Sequence, residues 1–122
     1  HVGIFTDTDS PTFLLAELTR RQGVYTLPEA VHRITLKSAD VLSLKERGAV
    51  KEGWIADLNI IDYENLETGY PYYVNDFPHN GGRYIVESAG YLGTMVAGNM
   101  IVENGKHTGS RPGTVIREFA RS

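Results

Sequence analysis

The sequence predicts an α+β fold, with two or three helices first and a small, mostly antiparallel β-sheet or β-sandwich part second. Three observations carry that expectation. Thr26-Leu27-Pro28-Glu29 is a capping box: the threonine bonds forward and the glutamate, three residues on, bonds back. After Gly53 the apolar periodicity changes from helical to extended, in the apolar run Ala56 to Ile61, which ends in the β-branched pair Ile60-Ile61. Asn104-Gly105, between Met100-Ile101-Val102-Glu103 and Lys106-His107-Thr108, is a two-residue hairpin signal.

The first helix is expected over 11–22. Ser10 suits the N-cap and Pro11 the first helical position, where its missing N–H is not needed. Phe13, Leu14, Leu15 and Leu18 form one apolar stripe, Arg20 and Arg21 complement the helix dipole, and Gly23 closes the segment. The helix from the capping box is expected to bury Leu27, Ala30, Val31 and Ile34, with His32 on its surface. A break near Ser38 starts a short helix from Ala39 to Leu44, with Ser38 as its cap and Lys45-Glu46-Arg47-Gly48 ending it.

The strand at 56–61 places Leu58 and Ile60 on one face and Asn59 and Ile61 on the other. Residues 63–83 are poorly patterned and are expected to be a long irregular loop, a length that marks function, a partner contact or a cover. Its aromatics, including Tyr72 and Phe77, are read as sealing the edge of a small core, with ligand stacking as the other reading. Short strands follow at 84–87, 90–97 and 100–103, the last two joined through Gly98-Asn99. The Asn104-Gly105 turn then leads to Lys106-His107-Thr108.

The 122 residues are one domain's worth of chain, with 41% hydrophobic and 22% charged residues, as in ordinary soluble domains. A net charge of −3 with interspersed signs argues against nucleic acid as a partner. No apolar run is long enough for a membrane span. The absence of cysteine excludes disulfides and thiolate metal sites and fits a reducing, cytoplasmic compartment. The chain begins at His1, without Met, in what reads as structured sequence. It is expected to be a trimmed chain or the carboxy-terminal piece of something longer.

Two stretches carry a family resemblance. Gly48 to Asp62, with Gly53, Ala56-Asp57 and Asp62 at fixed spacing, resembles the segment with which metal-dependent amidohydrolases leave their catalytic barrel for a small β-domain. Thr94 to Gly113, closing in Thr108-Gly109-Ser110-Arg111-Pro112-Gly113, is similar to the ending of the N-acyl-D-amino-acid deacylase (D-aminoacylase) branch; Ala97 departs from the Asn or Val usual there. The helical segment 26–44 also resembles the family's approach to the exit strand. The resemblance implies that 1–48 are the last helices of a TIM-type (β/α)₈ barrel and 49–122 most of the small β-domain. It further implies a complete enzyme that hydrolyses N-acyl amide bonds with zinc-activated water, the metal lowering the water's pKa and polarising the carbonyl.

The metal ligands of the family lie on earlier strands, so no zinc is expected on this chain and no catalytic residue is assigned within it. Its histidines are His1, His32, His79 and His107, without H-x-H or H-E-x-x-H spacing. His1 resembles the histidine closing the family's S-D-x-G-A-H run, which makes it the candidate for substrate contact. Asp7 and Asp9 could pair as carboxylates and are read as solvated or capping groups. Asp57 could be offered as a base and is read as a turn former bonded to backbone. Expected partners are the missing barrel portion or a second copy, in a homodimer. The competing reading is a free-standing α+β module that binds a ligand or protein through 63–83 and has no enzymatic activity.

Overall fold

The computed structural model describes residues 9–117. Helix α1, Ser10–Phe13, continues as a π-helical stretch, Leu14–Arg21; α2 is Leu27–Ile34 and α3 is Leu36–Val41. The strands are β1 Leu58–Ile61, β2 Tyr72–Phe77, β3 Gly81–Ile85, β4 Tyr91–Val96, β5 Asn99–Glu103 and β6 Lys106–His107. The architecture is α+β: helices, then antiparallel sheets. One sheet has the order β1-β4-β5-β6, and β2 pairs with β3 alone.

The first helix occupies the expected residues, but only its first turn, Ser10–Phe13, is α-helical. The Gln22 N–H reaches the Glu17 carbonyl, five residues back, at 2.9 Å. The Thr19 hydroxyl takes the Leu14 carbonyl at 2.8 Å. A side chain competing for a ladder carbonyl opens the helix in this way, and no apolar period could have announced it. Within this segment Leu15 and Ala16 are buried while Phe13 stays 45% exposed.

The capping box forms. Glu29 accepts from the Thr26 backbone N–H at 2.9 Å and from its hydroxyl at 2.6 Å. The Thr26 hydroxyl, then its N–H, holds the Glu29 carboxyl below the usual carboxylate range. Because the folded value is depressed, this support of α2 is present above the ordinary glutamate pKa and is lost as pH falls through the lowered one. Acid titration followed by NMR should show the Thr26 amide moving with the Glu29 carboxyl at a midpoint below that of a free glutamate.

Two expectations for this region are corrected. The break lies at Thr35, whose φ of −120° and ψ of −95° stop α2, so the next helix starts at Leu36. The Ser38 hydroxyl donates to the Arg33 carbonyl rather than capping. Of the residues expected to be buried on α2, only Ala30 is; Leu27, Val31 and Ile34 remain 39%, 40% and 36% exposed. Their stripe has the right period, but the described elements cover it only in part. Gly48 has φ +84° and lies against α3, where a Cβ would come within 2.8 Å of the Leu36 Cα.

The region 63–83 is likewise not one irregular loop. Tyr72, Tyr73 and Val74 pair with Ile85, Tyr84 and Arg83, and Phe77 with Gly81. Arg83 grips Asp76 with two bonds, 2.8 and 2.6 Å, and Tyr73 meets Tyr84 edge-on with centroids 5.2 Å apart. The first strand of the last third accordingly starts at Gly81 instead of Tyr84. The Asn104-Gly105 hairpin forms as expected, whereas the β4–β5 turn sits on Ala97-Gly98, one residue earlier than read from sequence.

The core is small. Leu15, Ala16, Ala30 and Leu66 are buried together, with Leu14, Tyr25, Ile61, Tyr63 and Tyr91 packed around them. It joins the helices to β1 and β4 through the turn after β1. Thr12 helps from the helical side, meeting the Tyr91 hydroxyl at 2.9 Å. Among the described residues no helix is long and apolar enough to cross a membrane.

Candidate functional site

Thr108-Gly109-Ser110-Arg111-Pro112-Gly113, the most specific motif of the chain, builds the principal cleft. The Thr108 N–H donates to the Ile101 carbonyl at 3.0 Å, and its hydroxyl to the Met100 carbonyl at 2.7 Å. The same hydroxyl accepts from the Ser110 N–H at 3.2 Å. These bonds fold the segment back along the sheet and enclose about 590 Å³, lined by Val96, Ile101, His107, Ser110, Arg111 and Pro112. The walls are largely apolar, and two of the lining residues, His107 and Arg111, are exposed. Such a cleft can seat an apolar segment. Ser110 and His107 both line it, and among the described residues no hydrogen bond joins the serine hydroxyl to the imidazole.

A smaller cleft lies beside it at the β5–β6 turn, and another on the helices between Arg33, Lys37, Val41 and Leu42. The first is lined by Glu103, Lys106 and His107, all exposed, and the second by Arg33 and Lys37 with no acid among its lining residues.

The sequence candidates are scattered. His1 and Asp7 lie outside the described residues, so the substrate-contact assignment of His1 gains no geometry. Asp9 precedes α1, where its carbonyl accepts from the Phe13 N–H at 2.9 Å. His32 is exposed on α2, His79 sits in the short turn between β2 and β3 with φ +58°, and His107 is on β6. Among the described residues no group of three His, Cys, Asp or Glu side chains could hold a metal ion. A zinc centre does not fit the residues described.

Asp57 is engaged on both oxygens. One accepts from the Ala97 N–H at 2.9 Å, and the other pairs with Arg47. It thereby ties the entry of β1 to the β4–β5 turn, the structural role read from sequence. Tyr72 and Phe77 line none of the three clefts described above; they stand on the β2–β3 hairpin, 42% and 40% exposed. The Tyr72 hydroxyl is pushed up from its ordinary value by desolvation and by Glu87.

Sequence reading missed Arg20. It reaches from the π-helical stretch to the carbonyls of Tyr63, Glu64 at 3.0 Å and Leu66 at 2.6 Å, and to Glu67 at 2.9 Å. Arg21 adds contacts to Glu17 and Glu67. No local pattern marks an arginine whose acceptors lie more than forty residues away.

No protein-family model matches the chain, and no curated protein sequence does. Solved structures do. A D-aminoacylase structure described as defining a novel subset of amidohydrolases is 28% identical, with a TM-score of 0.64, over 82% of this chain and 19% of that one. A study of the binuclear metal centre of D-aminoacylase and a D-aminoacylase variant with CuCl₂ give the same identity, coverage and TM-score. The chain thus resembles metal-binding amidohydrolases while spanning about a fifth of their length.

Proposed function

We propose that this chain is part of a longer metal-dependent amidohydrolase that hydrolyses N-acyl amide bonds of N-acyl-D-amino acids or similar compounds. In this reading 1–48 are the last helices of the barrel, 49–122 form most of the small β-domain, and both serve as scaffold. The observation that carries it is the structural likeness to D-aminoacylase over 82% of the chain, at a TM-score of 0.64. The partly exposed apolar stripe Leu27, Val31 and Ile34 supports it, since a barrel or a second copy would complete the cover of that face. Zinc, in this reading, belongs to ligands outside residues 9–117. Cytoplasmic residence belongs to the same proposal and rests on the lack of cysteine.

Sequencing upstream of the codon for His1 tests the reading most directly. An H-x-H pair and a Ser-Asp-x-Gly-Ala run directly before His1 are expected. The purified chain alone should neither retain zinc nor turn over an N-acetyl-D-amino acid, and adding the separately produced upstream portion should restore turnover. Hydrolysis by the 122-residue chain on its own would overturn the scaffold assignment.

A further inference from the structure

The sequence holds the pair Asn-Gly twice, at Asn80-Gly81 and Asn104-Gly105. In such a pair the glycine nitrogen can attack the asparagine Cγ. The new N–Cγ bond closes a five-membered imide as the Cγ–Nδ2 bond breaks and ammonia leaves. Solvent water then opens the imide at either carbonyl. Cleavage at Cγ gives aspartate, and cleavage at the main-chain carbonyl gives isoaspartate, with the chain rerouted through the side chain.

Glycine has no side chain to block the attack, so sequence alone ranks the two sites equally. Both asparagines are exposed and both hold left-handed backbones, φ +59° at Asn80 and +47° at Asn104. The structure separates them. The Gly81 N–H is bonded to the Pro78 carbonyl. Among the described residues the Gly105 N–H has no hydrogen-bond partner. Ring closure also requires the asparagine to leave its turn conformation. Opening the β2–β3 turn strains a hairpin clipped by Arg83 and Asp76. The β5–β6 turn is followed by a two-residue strand, paired as Val102 with His107 and Glu103 with Lys106 and continued only by the Thr108 bonds to Ile101 and Met100, so it frays at lower cost than the β2–β3 turn.

We propose that Asn104 is a site of spontaneous deamidation in the folded chain, and that Asn80 is protected by comparison. Isoaspartate at 104 lengthens the main chain inside a two-residue turn and so releases β6. With it go the Thr108 bonds that fold the 108–113 segment over its cleft. The inference is independent of the proposed enzymatic setting.

The test is to hold the full chain at mildly alkaline pH, below its unfolding temperature, and to map aspartate and isoaspartate by peptide mass spectrometry. Product at 104 should accumulate about fivefold faster than at 80, the ratio equivalent to one net backbone hydrogen bond. In concentrated urea the two rates should converge. Asn104→Gln should abolish the faster product and leave the slower one unchanged. Equal or faster reaction at Asn80 in the folded chain overturns the proposal, as does a preference for 104 that urea leaves intact.

Discussion

Leu66→Ala is expected to destabilise the chain by about 4 kcal/mol, in the upper part of the range for a buried leucine. Among the described residues Leu66 is the largest side chain that is fully buried, and two of its companions in the core are alanines on separate helices. Alanines cannot swing into a vacated space. The backbone cannot settle inward either, because Arg20 holds the Leu66 carbonyl and Gly90 lies so close that a Cβ there would sit 2.7 Å from the Leu66 Cα. A chain of 122 residues with so small a core belongs near the low end of the usual stability range, about 6 kcal/mol. The variant should therefore lose most of its stability, seen as a large fall in the urea midpoint. Leu66→Met keeps the volume and should cost less than about 1.5 kcal/mol. If alanine and methionine behave alike, the turn after β1 is not the centre of this core.

How far the sequence could be read follows from what each feature depends on. The capping box, the Asn104-Gly105 hairpin and Gly23 at the end of the first helical segment, φ +64°, are local, and each forms where the residues indicate. Features set by distant partners were hidden. The β2–β3 hairpin reads as a loop because Pro71, Pro78 and three consecutive polar or glycine positions, Asn80-Gly81-Gly82, look like breakers. The ladder survives because Gly82 admits the Tyr73 ring where a Cβ would collide with it. The exposed stripe on α2 shows the opposite failure. Its period is right, but periodicity reports which face wants cover and not whether cover is present in this stretch of chain.

The candidate site was legible only as motif. Thr108 to Gly113 stands out in the sequence and does build the principal cleft, yet its chemistry is that of a packing surface. Asp57 was assigned correctly because an acid beside a strand entry has a cheap backbone partner in reach. Ala97, noted as a departure from the Asn or Val usual in that branch, takes φ +46°, a left-handed conformation that asparagine tolerates better than alanine. The residue that fastens helices to sheet was invisible, since Arg20 reads from sequence as one more cation at a helix end.

That residue carries the second large effect. Arg20→Ala should cost about 3 kcal/mol, and the magnitude separates two accounts of what Arg20 does. As a salt bridge to Glu67, whose side chain is 43% exposed, it is worth at most about 1 kcal/mol and is screened by salt. As a charged donor to carbonyls it is worth more, because removal strands the part-buried acceptors of Tyr63 and Leu66 without a partner. The second account requires that Glu67→Gln be mild, under about 1 kcal/mol, and that added salt barely move the wild-type midpoint. Arg20→Lys should recover little, since one ammonium on a flexible stem cannot reproduce a planar fork spread over several carbonyls. Urea titrations of the three variants at low and high salt decide the matter. If Glu67→Gln proves as damaging as Arg20→Ala, the Arg20 clamp is an ion pair and the carbonyl contacts add little to it.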